Sequence, residues 1–234
     1  MNKYSQNNKV FKKITYENVI TLFFLCILVI TLILNMIFQG GSKLPRIILN
    51  AVTVIVFWAF FRFTFLKKSK ASYIATLIFI IMSMYFGNVL DFYSIVPYYD
   101  KILHTASGII IGLMSIVIYV HFTNEYFQKI NSNFMILFCI LLTLALAGGW
   151  EIWEYGTDKI FGLMSQKNSL DDSMTDIICG TVGGILSLIP IYRFSKGHKN
   201  KFLQFIINEI ISDDYIMWYI HKIMNFKLNV FRLT

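Results

Sequence analysis

The chain has 234 residues, of which 56% are hydrophobic and 15% charged, and carries a formal net charge of +8 at pH 7. Soluble domains are usually about 45–50% apolar and about 25% charged, and here the apolar residues fall in unbroken runs of about 20, the length of a bilayer-crossing helix. A water-soluble globule, a coiled coil, a disordered chain and a disulfide scaffold are excluded. The pattern predicts an all-α polytopic membrane helix bundle, with six transmembrane helices and a C-terminal amphipathic helical tail.

Residues 1–18 read as a cytoplasmic N-terminal segment. The six runs follow at 19–38, 44–66, 71–90, 102–122, 134–155 and 174–194. The first follows basic residues, as a signal peptide would, but the stretch Asn35 to Gly40 lacks small residues at the cleavage positions, so an uncleaved first span is expected. Cys26, Cys139 and Cys179 lie inside apolar runs, where a thiol behaves as a small hydrophobe; neither a disulfide nor a cysteine metal cage is expected. The connections are short, so 19–194 forms one membrane domain with antiparallel neighbours and 71–194 as its functional body.

Residues 195–234 form the tail. Phe202, Phe205, Ile206 and Ile210 recur at helical spacing, then Tyr215, Trp218, Tyr219 and Ile223, while Glu209, Asp213, Asp214, Lys222 and Lys227 interrupt any spanning run. An interfacial amphipathic helix pair is expected, with docking of a cytoplasmic partner as the alternative.

Lysine and arginine set the orientation. With the N-terminus inside, sixteen of the 21 Lys and Arg fall on inner segments, and five (Lys43, Arg46, Lys101, Lys159 and Lys167) on outer ones. The expected location is the cell membrane, multi-pass, with both termini cytoplasmic. The positive charge is this topology signal; no basic stripe with interleaved aromatics points to nucleic acid.

The 13 acids divide unevenly. Asp91, Asp100, Glu151, Glu154, Asp158, Asp171, Asp172 and Asp176 all fall at the outer ends of spans three to six or in the loops joining them. Ionisable residues inside a span are costly and usually face the bundle interior or a wet cavity. Span four opens Asp100-x3-His104-x3-Gly108-x3-Gly112, and span six Asp172-x3-Asp176-x3-Gly180-x3-Gly184. Residues four apart share a helix face. Each helix therefore carries one stripe with two ionisable groups above two glycines, and glycines allow close backbone approach. Spans three–four and five–six share this plan, which suggests a degenerate internal duplication.

Simpler roles compete for these residues. Asp100 and Asp172 could be helix N-caps, His104 a buried histidine bonded to Asp100, Lys101 and Lys159 interfacial anchors, and Tyr98, Tyr99, Trp150 and Trp153 part of an aromatic belt. Capping fails for Asp91, Glu151 and Glu154, which lie at C-terminal helix ends, where a carboxylate is unfavourable. Glu151 and Glu154, three residues apart, repel each other, so a metal ion, a proton, a lysine or a cationic substrate group must compensate. The donor set suits a divalent ion such as Zn, Mn, Fe or Mg. The expected metal ligands are His104, Glu151, Asp176 and Asp100, with Asp100 orienting His104. The expected general bases are Glu154 and Asp172.

The segments Tyr99-Asp100-Lys101-Ile102-Leu103-His104-Thr105-Ala106-Ser107-Gly108 and Trp150-Glu151-Ile152-Trp153-Glu154, followed by Asp172-Ser173-Met174-Thr175-Asp176 and Gly183-Gly184, resemble the YjdF-like family of uncharacterised bacterial inner-membrane proteins. That resemblance implies an Asp-x3-His, a Glu-x-x-Glu and an Asp-x3-Asp in this order, carried here by Asp100, His104, Glu151, Glu154, Asp172 and Asp176. More distantly the pattern is similar to VanZ-like proteins, some linked to glycopeptide resistance. Thr105 stands where relatives often carry an aromatic residue.

Three functions follow as expectations. The first is an accessory or resistance factor binding membrane lipids, among them an envelope lipid or lipid-linked intermediate, with the cluster as a hydrogen-bond network. The second is a metal-dependent hydrolase acting at the outer leaflet, whose metal activates water or polarises an oxygen. The third is a small cation or proton transporter, weakened by the apolar inner halves of spans three to six.

Overall fold

The computed structural model describes residues 15–123, 132–161, 165–166 and 169–210. Among them there is no strand, and six helices are long and apolar enough to cross a membrane: Tyr16–Gln39, Leu44–Phe63, Lys70–Val89, Tyr99–Thr123, Ser132–Ile160 and Leu170–Ser195. The protein is an all-α polytopic helix bundle. Large side chains such as Phe23, Phe38, Phe60 and Ile152 are exposed along these helices, as expected where hydrocarbon rather than water is the solvent. The chain divides into two compact units, one up to Phe60 and one from Phe61.

The first unit holds α1 (Tyr16–Gln39) and most of α2 (Leu44–Phe63). Helix α1 stops at Gly40, whose left-handed φ of 58° suits glycine. The Gly41 N–H closes onto the Asn35 carbonyl at 3.1 Å. Asn35 also accepts from the Lys43 N–H on Oδ1 and donates to Gln39 from Nδ2, so one buried amide staples the turn. At the other end Trp58 Nε1 donates to Asn18 Oδ1 at 2.9 Å. The two bonds make α1 and α2 an antiparallel pair.

The second unit begins with a 3-10 turn, Phe65–Lys68. Helix α3 (Lys70–Ile80) is capped by the Ser69 hydroxyl, which accepts from the Ser72 N–H, and runs on as a π-helix over Ile81–Val89. After a left-handed turn at Asp91 (φ 61°) come the short α4 (Phe92–Ile95) and then α5 (Tyr99–Thr123). Helices α6 (Ser132–Phe161), α7 (Leu170–Ser195) and α8 (Lys201–Asn208) complete the described chain.

Helices α5 and α7 form the closest pair, and α6 packs against both. Small residues explain why. A Cβ on Gly108 would overlap the Gly180 carbonyl oxygen, one on Gly183 the Thr105 carbonyl, one on Gly112 the Ser187 hydroxyl, and one on Gly184 the Thr143 side chain of α6. The two glycine stripes therefore meet, backbone against backbone, as their spacing predicts.

Two expectations are modified. The third span is a composite of α-helix and π-helix, which leaves its ladder irregular where it nears the acids. In the tail, α8 turns Leu203, Ile206 and Ile207 inward, Ile210 in the turn after it is also buried, and Phe202 and Phe205 are left exposed. Glu209 Oε2 accepts from the Ala71 N–H at 3.2 Å and from the Ser69 hydroxyl, so this acid helps to cap α3. The expected second tail helix, through Tyr215 to Ile223, lies outside the described residues.

Candidate functional site

The glycine contact draws the first turns of α5 and α7 together, and the charged residues stand on those turns. Ser169 caps α7 by accepting from the Asp172 N–H, so Asp172 sits inside the first turn and is not the cap. Asp100 likewise lies within the first turn of α5. Both acids are still near the positive ends of their helices.

Lys101 is the centre of the cluster. Its Nζ lies 2.7 Å from Asp176 Oδ1, 2.8 Å from Asp172 Oδ1 and 3.7 Å from Asp100 Oδ2. It also donates to the Asp172 carbonyl at 3.3 Å. His104 Nε2 lies 3.6 Å from Asp100 Oδ1 and 3.6 Å from Asp176 Oδ1. Asp176 is 2% exposed, and its Oδ1 is paired with the Lys101 ammonium at 2.7 Å. One ligand atom each from Asp100, His104 and Asp176 lies within 4.8 Å of the others.

Helix α6 passes the same place in its C-terminal third; it runs on to Phe161, so Glu151 and Glu154 lie inside the helix and not at its C-terminal end as the sequence suggests. Glu151 is 5% exposed and accepts from Gln166 Nε2 at 3.2 Å, while the same Nε2 reaches the Glu151 carbonyl at 2.9 Å. Asp158 holds the loop that presents Gln166, accepting from the Ser165 and Gln166 N–H groups at 3.0 Å each. Glu151 is close enough to interact electrostatically with His104 and Asp176, yet it stands outside the trio whose donor atoms lie at ligand spacing. Glu154 accepts from Trp150 Nε1 at 2.8 Å and feels the charges of Glu151, Asp100 and Asp176.

Thus Asp100, His104, Asp172 and Asp176 come together directly, and Glu151 and Glu154 line the same end from α6. From the sequence, Lys101 reads as an interfacial anchor, whereas here it is the hub of the cluster. A signal was available: Lys101 precedes His104 by three residues, which places both on one face. Gln166, in a loop, carried no such signal.

Two tyrosines frame the cluster. The Tyr99 hydroxyl donates to the Met82 carbonyl in the π-helix at 2.7 Å. The Tyr93 ring lies against Gly87, where a Cβ would overlap it, and stacks edge-on with Tyr99 at 5.5 Å. Burial first, and then the negative charges of Asp100 and Glu154, push the Tyr93 phenol above its ordinary value.

This cluster and nearly all of the six spans fall within one family match. Residues 19–197 match the family described as "Predicted membrane protein (DUF2238)". The chain belongs to this family. The five acids and the one histidine of the three motifs fall inside the matched stretch. A relative from Thermotoga maritima, described as "Uncharacterized protein", is 29% identical over 111 residues, which are 47% of this chain and 56% of that protein. The chain thus spans about half the length of the curated relative it matches. No solved structure matches.

Proposed function

We propose that this DUF2238 membrane protein binds a divalent cation at the outer end of its last four spans, and through it holds an anionic cell-envelope lipid or lipid-linked intermediate. The observation that carries this is the meeting of Asp100, His104 and Asp176 at ligand spacing. Metal bonds of about 2 Å separate neighbouring donors by roughly 3–4 Å, so the two 3.6 Å pairs of His104 already fit a shared ion. Charge supports the same reading: Asp100, Asp172, Asp176, Glu151 and Glu154 crowd one cationic side chain, Lys101. A cation held there would present open positions to a phosphate oxygen. The outward placement and the cytoplasmic termini rest on the basic-residue asymmetry. The motif order supports kinship with the YjdF-like membrane proteins and, more distantly, with VanZ-like ones.

A second reading, a metal-dependent hydrolase, draws on the place of Glu154. Asp172 is held by Lys101 at 2.8 Å, which leaves Glu154 the better of the two candidate bases. Transport is less well supported: below the cluster, the Ser115, Thr143 and Ser187 hydroxyls are turned onto carbonyls of their own helices rather than forming a relay.

Elemental analysis of detergent-purified full-length protein, after exposure to Mn2+ or Zn2+, tests the site. Bound metal is expected in the wild type and absent in His104→Ala. A folded wild type that takes up neither ion would leave the cluster as a structural network only.

A further inference from the structure

The inference here rests on the cation site and concerns its regulation. One oxygen, Asp176 Oδ1, has two suitors: Lys101 Nζ at 2.7 Å and His104 Nε2 at 3.6 Å. A divalent ion bonded to Asp176 and His104 would need that oxygen, or stand within contact distance of the ammonium. Two cations cannot share it without strong repulsion. Lys101 has somewhere else to go: Asp172 offers it Oδ1 at 2.8 Å and its carbonyl at 3.3 Å, on the turn of α7 just before Asp176. The side chain can therefore leave one carboxylate without losing its other partner.

We propose that Lys101 is a tethered counter-cation that competes with the divalent ion for Asp176 and retires to Asp172 when the ion binds. The tether neutralises the buried Asp176 when no ion is present, which keeps α5 and α7 together. It also sets a threshold, because the ion must displace an ammonium already in place. The site would then respond to a rise in cation concentration instead of staying loaded.

Mn2+ binding by full-length wild type and Lys101→Met, both in detergent, tests this. Lys101→Met should bind Mn2+ tighter by about tenfold or more, the scale of one lost charge-assisted competitor. Equal or weaker binding by a folded Lys101→Met would overturn the competition and leave the cation site standing. No Mn2+ binding by either protein would overturn the cation site itself, and this inference with it. If Lys101→Met does not fold, acylation of wild-type lysines by an amine reagent, read by mass spectrometry, decides. Saturating Mn2+ should speed modification of Lys101 severalfold relative to Lys159, and an unchanged ratio would overturn the exchange.

Discussion

The ammonium of Lys101 lies 2.7 Å from Oδ1 of Asp176, across the contact between α5 and α7. This ion pair joins two helices whose backbones already touch at glycine. It explains how a carboxylate that is 2% exposed persists at the end of a membrane helix. Charge compensation of the acids thus begins with a side chain of the chain itself.

That pairing sets apart two substitutions which a purely repulsive cluster would make alike. Asp176→Asn turns the closest carboxylate of Lys101 into a neutral amide, leaving the ammonium to Asp172, and should lower stability by about 1–3 kcal/mol, the scale of a lost charge-assisted hydrogen bond. Glu151→Gln keeps an acceptor for Gln166 and removes a charge from a crowded end, so its melting temperature should stay near wild type. Thermal unfolding in detergent measures both. Equal losses would mean that Lys101 does not stabilise Asp176.

The glycine seam makes a steric prediction. Gly108→Ala places a methyl group against the Gly180 carbonyl and should cost about 1–3 kcal/mol through forced separation of α5 and α7. Gly148→Ala on α6, where nothing lies within 4 Å of the added Cβ, should be neutral or slightly stabilising. The two melting temperatures, compared with wild type, check the pair.

Glu209 tests whether the tail helix is fastened or merely adjacent. Its carboxylate accepts from the Ala71 N–H and the Ser69 hydroxyl at the start of α3. Glu209→Ala should cost about 0.5–2 kcal/mol, the usual range for a lost cap. It should also increase proteolysis between Lys196 and Lys201. Unchanged cleavage would mean that the apolar face of α8 suffices to hold it.

Topology is open to direct measurement. Reporter fusions at Lys43, Lys129 and Lys167 should report outside, inside and outside. An outside signal at Lys129 would invert the protein and place the carboxylate cluster at the cytoplasmic face.

Much of this protein is decided by sequence alone, because a bilayer imposes a single length and polarity on every crossing segment. The six spans, the helical class and the glycine stripes follow from runs of apolar residues and from four-residue spacing, and Asp100, His104, Asp172 and Asp176 were visible on those stripes. What the sequence could not settle is which charge answers which. Lys101 lies next to Asp100 in the chain, yet its strongest partners, Asp172 and Asp176, are 71 and 75 residues away. Only the packing of α5 on α7 selects them. The same holds for Gln166 on Glu151, delivered by a loop without periodicity, and for the π-helix that opens the Met82 carbonyl to Tyr99. Periodicity reports which face a residue occupies. Which side chain meets it across that face depends on how closely two backbones approach, and here glycine sets that distance.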